Sequence, residues 1–191
     1  FPWLTHPFSR AWRGAQNVSS FGPGAFTGEV HAGMLKELAV DFCLVGHSER
    51  RHLMGETVAH TAHKVAALLE QSILPVFCVG ETLAEREAGQ LETVLERQLE
   101  PLRAFKAPVL IAYEPVWAIG TGVAATPDDA DQAHSWIRNW FQAQDLAVPP
   151  ILYGGSVGPQ NAYQLAQIAT IDGFLVGGAS LKPGSFFEIG V

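Results

Sequence analysis

Val109-Leu110-Ile111-Ala112-Tyr113-Glu114-Pro115-Val116-Trp117-Ala118-Ile119-Gly120-Thr121-Gly122 divides at Glu114. The first five residues form an unbroken apolar run, as expected of a strand covered on both faces in a parallel sheet. A carboxylate and a proline then close it. The segment from Val116 to Gly122 is apolar but ends in glycines, and it follows a strand too directly to be another one. It reads as a lid that can close over a site and exclude water. A carboxylate at a buried strand end beside such a lid is a candidate general base; a solvated strand terminus is the alternative.

Working outward from this stretch, residues 109–114 are one of six strand-like runs, the others being 15–18, 42–46, 74–79, 151–153 and 173–176. Amphipathic stretches lie between them. Val58, Ala62, Val65, Ala66 and Leu69 recur at helical spacing, and so do Leu91, Val94, Leu95, Leu99 and Leu102. A third helix has a marked start, with Thr126 as N-cap, Pro127 at the first helical position and Asp128 and Asp129 in the first turn. Its predicted inner stripe is Ala130, Ala133, Ile137 and Trp140. Val18, Val45, Val79, Ala112, Tyr153 and Leu175, one from each run, are 27, 34, 33, 41 and 22 residues apart, the length of a βα unit, about 30 residues. Strand–helix alternation gives an α/β fold with a parallel sheet. A closed barrel and an open doubly wound sheet share this rhythm.

The strand ends distinguish them, because in both architectures functional groups gather there. The run 42–46 passes into Gly46-His47-Ser48-Glu49-Arg50-Arg51. A lone histidine there could be a satisfied core or loop residue, but so dense a polar cluster at a buried strand end needs a reason, since buried charge is costly unless paired. The last two runs end in Gly154-Gly155-Ser156 and Gly177-Gly178-Ala179-Ser180. One glycine pair marks only a tight turn. Two, each between an apolar run and a helix, fit the phosphate site that barrels often build after strands seven and eight.

Composition sets the outer limits. The chain has 191 residues, 48% hydrophobic and 16% charged, with net charge −7. These values suit one globular domain and argue against a nucleic-acid or anionic-membrane surface. Cys43 and Cys78 both lie in apolar runs, which suits reduced core thiols in a cytoplasmic protein better than a disulfide framework. No apolar stretch reaches the roughly 18 residues needed to span a bilayer. No basic segment followed by an apolar one opens the chain, so no secretory signal is expected. The seven histidines lack convincing metal-binding partners, and His60 and His63 read as a surface pair.

Taken together, these segments resemble the triosephosphate isomerase family. The resemblance rests on Ala15-Gln16-Asn17-Val18, Gly24-Ala25-Phe26-Thr27-Gly28-Glu29, Gly46 to Arg51, Cys78-Val79-Gly80-Glu81-Thr82, Ala112 to Gly122, Tyr153-Gly154-Gly155-Ser156-Val157 and Asp172 to Leu181, in the family's order and near its spacing. It implies a (β/α)8 barrel, with about six of eight βα units identifiable. It implies a cofactor-free, metal-free enzyme that interconverts dihydroxyacetone phosphate and D-glyceraldehyde 3-phosphate. Glu114 would be the base and His47 the neutral electrophile, the division of labour the family uses. Ser48 and Glu49 would support the site, and Cys78 matches a cysteine near the base. Gly120, Ser156, Leu175, Gly177 and Gly178 would bind the substrate phosphate. Pro115, Val116, Trp117, Ala118, Ile119, Gly120 and Thr121 would form the lid. The loop at 19–29 would reach a second subunit of a homodimer, with Gln16, Asn17 and Thr27 at that junction.

The chain departs from the family pattern at two places. Val123 stands where the family usually has a lysine, at the lid's far hinge. No run like the family's first strand, with its asparagine and lysine, is present, so residues 1–191 are expected to be one barrel domain incomplete at the N-terminus. Two competing readings stay open, another phosphate-binding barrel enzyme and a non-catalytic barrel fragment that binds or oligomerises. An aldolase would need a strand-end lysine, yet Lys36, Lys64, Lys106 and Lys182 all fall in helices or loops.

Overall fold

The computed structural model describes residues 11–119 and 125–190. In chain order it runs β1 (Gly14–Ala15), α1 (Ala32–Glu37), β2 (Phe42–Val45), α2 (Ser48–His52), α3 (Val58–Glu70), β3 (Leu74–Val79), α4 (Leu83–Glu87), α5 (Leu91–Leu99), β4 (Leu110–Tyr113), α6 (Pro127–Ala143), β5 (Ile151–Tyr153), α7 (Ala162–Ala166), β6 (Gly173–Phe174) and α8 (Pro183–Ile189). All six strands pair in parallel, and their order in the sheet is their order in the chain. A doubly wound sheet reverses direction partway across; this one never does, so the fold is the singly wound sheet of a (β/α)8 barrel, six strands of it.

Strand alternation separates two cores. Val76, Cys78 and Ala112, with Phe42, Leu44, Leu110, Leu152 and Leu175, pack together on one face, as barrel interiors do. The other face carries Phe77, Val79, Ile111, Tyr113, Ile151 and Tyr153 into the larger core beneath the helices. Cys43 and Cys78 are both buried free thiols.

The observed strands are shorter than the sequence runs at β1, β2, β4 and β6. The third sequence helix is α6, with the expected cap completed as a capping box: the Thr126 hydroxyl accepts from Asp129 N–H, and the Asp129 carboxylate accepts from Thr126 N–H. Ala130, Ala133, Ile137 and Trp140 all face inward, joined by His134 and Phe141. The second stripe is buried as read, with Leu102 in a 3₁₀ turn after α5 and Gln98 added to it. The first stripe is rotated. On α3 the buried side chains are Thr61, Lys64, Val65 and Leu68. Lys64 turns inward because Glu56 ion-pairs with its Nζ and Asn17 Oδ1 accepts from it at 2.7 Å. His60 also does more than lie at the surface: its Nδ1 accepts from Thr57 N–H at 3.3 Å and closes the α3 capping box.

Candidate active site

Glu114 follows β4 and continues its alternation, so the carboxylate rises from the barrel's inner face. It is 2% exposed. Two glycines on neighbouring strands make room for it. A Cβ at Gly80 would stand 1.7 Å from the Glu114 carbonyl oxygen, and one at Gly154 would stand 3.1 Å from Glu114 Cγ. The backbone is fixed by Glu114 N–H donating to Val79 O at 2.7 Å.

His47 reaches the same point by a different device. Gly46 takes φ +70°, a conformation glycine adopts without strain, so the strand alternation of β2 ends there and the next side chain is re-aimed. A Cβ on Gly46 would also strike the Arg51 guanidinium at 2.6 Å. His47 caps α2, its Nδ1 accepting from Glu49 N–H at 3.3 Å. Its Nε2 then faces Glu114 Oε1 at 2.8 Å, while Ser48 N–H donates to Glu114 Oε2 at 2.9 Å. The hydrogen bond to Glu114 raises the imidazole pKa above its ordinary value, and burial opposes it. The amide on Nδ1 occupies the position a second proton would need, so the arrangement fits a neutral ring carrying its proton on Nε2.

Both groups line a cavity of about 470 Å³ at the C-terminal ends of the strands. Ser156, Leu175, Gly177 and Gly178 line it too, and so do Gln16, Glu49 and Ile119. Added Cβ atoms at Gly177 and Gly178 would meet nothing within 4 Å, so packing does not require glycine there. What glycine leaves is bare backbone facing the cavity. Among the described residues no lysine or arginine lines it.

Of the residues expected to form a lid, Pro115, Val116, Trp117, Ala118 and Ile119 lie among those described. Val116–Ala118 form a 3₁₀ turn. Trp117 Nε1–H donates to Glu81 Oε1 at 2.8 Å, and the Arg86 guanidinium lies 5.1 Å from the Trp117 ring centre. Ser156 Oγ–H donates to Ala118 O at 2.9 Å, tying the loop after β5 to the segment after β4. Gly120, Thr121 and Val123 lie outside the described residues.

Three expected site residues stand apart from the cavity. Cys78 is fully buried on the inner face, beside the Glu114 carboxylate; burial first, and that carboxylate second, push its thiol pKa well above the ordinary value. Asn17 spends its side-chain oxygen on Lys64. Thr27 is exposed, on a loop where Phe21 and Phe26 stack on each other at 4.4 Å. Three supports were missed. Arg51 donates to Gly46 O at 2.7 Å and to Cys78 O at 2.9 Å. Glu81, fully buried, accepts from the Tyr113 hydroxyl as well as from Trp117 and Arg86. Gln98 binds Gly80 on both its polar atoms. Arg51 and Glu81 lie in segments that carried the resemblance but were given no role there, and Gln98 stood out only as a polar residue on the apolar face of its helix.

A buried carboxylate hydrogen-bonded to an imidazole at the carboxyl end of a parallel barrel, with glycine backbone opposite, defines a barrel enzyme built for proton transfer on an anionic substrate. The family model for triosephosphate isomerase matches residues 6–190. The chain belongs to that family. It is 52% identical over 190 residues to the triosephosphate isomerase of Ralstonia nicotianae, covering 95% of this chain and 76% of that one. Over 182 residues it is 49% identical to the triosephosphate isomerase of Azoarcus sp., covering 92% and 75%. The Xanthomonas campestris enzyme of that name is 48% identical over 184 residues, covering 92% and 73%.

Proposed function

We propose that the protein is an isomerase interconverting dihydroxyacetone phosphate and D-glyceraldehyde 3-phosphate, in sugar-phosphate metabolism of the cytoplasm. The observation that carries the reading is the 2.8 Å contact between Glu114 and His47 Nε2 in a cavity with glycine backbone on its other side. Ketose-to-aldose conversion is a net proton shift with no change of redox state, so a base and an electrophile suffice. Glu114 exchanges its bond to Ser48 N–H for the substrate and takes a proton from C1. His47 Nε2–H donates to the oxygen where negative charge develops, which stabilises the enediolate. Glu114 then returns the proton to C2, while the proton of the C1 hydroxyl passes by way of His47 Nε2 to O2, leaving the carbonyl at C1.

In this reading Ser156, Gly177 and Gly178, with Leu175 beside them, hold the phosphate. Ser48 and Glu49 orient base and electrophile, the Ser48 N–H holding Glu114 Oε2 and the Glu49 N–H holding His47 Nδ1. The exposed Phe21–Phe26 pair supports docking of the 19–29 loop into a second copy, giving a homodimer. Conversion of dihydroxyacetone phosphate in deuterium oxide by the natural protein should give the aldose with deuterium at C2. Failure to turn over either triose phosphate would overturn the proposal.

A further inference from the structure

The geometry points to Gln98, on α5 and outside the cavity, as a positioning residue for Glu114 and the lid, acting through the backbone of Gly80; the inference rests on the isomerase reading above. Gln98 is 4% exposed. Its Oε1 accepts from Gly80 N–H at 2.8 Å and its Nε2–H donates to Gly80 O at 3.0 Å. One side-chain amide therefore satisfies both polar groups of a buried peptide position just past the end of β3. Leaving either unpaired would be costly.

Gly80 is the middle of a three-residue support for the base. Before it, Val79 O accepts from Glu114 N–H at 2.7 Å; after it, Glu81 O accepts from Val116 N–H at 3.1 Å. The Glu81 carboxylate takes the Tyr113 hydroxyl and the Trp117 indole. Residues 113, 114, 116 and 117 are thus all held by residues 79 and 81. Gly80 itself presses so closely on the Glu114 carbonyl that no side chain fits between them. A shift of Gly80 must move Glu114 relative to His47. The requirement at position 98 is chemical: one donor and one acceptor, side by side. Methionine offers the volume without the bonds, and an ionised glutamate offers a second acceptor where Gly80 O needs a donor.

The test is Q98M and Q98E in the natural full-length protein, with folding at the assay temperature checked by near-UV circular dichroism. In both, kcat should fall about 10- to 100-fold, the loss expected when a reacting group is misplaced by about 1 Å. KM should change little, because the phosphate-side residues are untouched. By NMR, His47 should titrate nearer its ordinary pKa in both variants, because Glu114 no longer meets Nε2, while Glu49, the other charged group facing the ring, stays in place. That titration reads the placement even if the parent protein turns over no triose phosphate, so failure of the isomerase reading is distinguishable from failure of this one. A folded variant with parental kcat, a loss confined to KM, or a loss of kcat with unchanged His47 titration would each overturn the inference. If Q98M does not fold, Q98E, which keeps the bond from Gly80 N–H, decides alone.

Discussion

Two cavities of nearly equal size lie at opposite ends of the sheet. One, of about 470 Å³, opens at the C-terminal ends of the strands and holds Glu114, His47 and the glycine pairs. The other, of about 450 Å³, opens at the N-terminal ends of β4 and β5 between the 3₁₀ turn after α5 and the end of α6. Its walls include Leu102, Val109, Phe141, Leu146 and Pro150, and its two charged residues, Lys106 and Asp145, are exposed. Volume therefore does not distinguish a site from a gap between elements. What distinguishes them is convergence: at one end a carboxylate, an imidazole and glycine backbone are brought to one point, while at the other the chain only turns. Strand polarity explains the asymmetry, because every β-to-α connection opens at the same end of a parallel barrel.

The hardest test of this difference is the base itself. Glu114→Gln keeps shape and removes proton transfer, so kcat should drop 10²- to 10⁴-fold, the range for loss of general-base catalysis. Binding of a non-reacting substrate analogue should survive. A variant within about a tenfold margin of parental kcat would remove the functional meaning of the polar cavity.

The next effect concerns stability and lies away from the catalytic end. His134 on α6 is fully buried, edge-on to Tyr113, with Nδ1 at 3.1 Å from Thr170 O. Its Nε2 finds no partner, and burial lowers its pKa from 6.5 to about 4. Between those values the unfolded chain binds the extra proton and the folded chain does not. Stability from this residue is therefore complete above pH 6.5 and falls as pH drops toward 4, by roughly 3 kcal/mol. Arg138, Asp131 and Asp172 are the charged groups around it. Urea midpoints of the parent and His134→Gln, compared across this range, should converge at acid pH. A constant gap from pH 4 to 7 would count against it.

The cavity glycines come third. Gly178→Val places a side chain where the structure has open space, so the fold should tolerate it while the phosphate should not. KM should rise about 10- to 100-fold, the worth of one hydrogen bond to a charged group, with the melting temperature nearly unchanged. An unaltered KM would mean that the backbone at 177–178 does not hold the phosphate.

How much of this was legible beforehand follows the same division. Apolar runs such as 74–79 and the Thr126-Pro127-Asp128-Asp129 start are local patterns, and the structure reproduces them. Glu114 and His47 were legible as strand-end residues, and the structure brings them to 2.8 Å. Gln98, Lys64 and Arg51 were not. Their partners are backbone atoms, or side chains as far as 47 residues away, and a backbone carbonyl leaves no mark in a sequence. Lys64 illustrates the cost. On periodicity it belongs to the solvent face of α3, but Glu56 outweighs periodicity: burial works to raise that carboxyl's pKa, and the Lys64 and Arg50 partners hold it below the ordinary value.

The smallest expected effect tests the apolar end directly. Ala107 is half-buried on the wall of the N-terminal cavity, between Lys106 and Pro108. Ala107→Leu adds three carbons where about 450 Å³ is open, so overpacking is not expected. Filling such a gap commonly gains about 1 kcal/mol, or 2–4 °C for a domain of this size. The same strand, β4, is preceded by Val109 beside this cavity and followed by Glu114 at the other end, so a shift along the strand would reach the base. The ladder opposes such a shift. Ile111, Ala112 and Tyr113 are each paired with both β3 and β5; sliding them would break bonds on both sides. A higher melting temperature with unchanged kcat and KM is therefore the expected result. A clear fall in kcat from this one substitution would show that the two ends are mechanically coupled, and that the polar cavity depends on the apolar one.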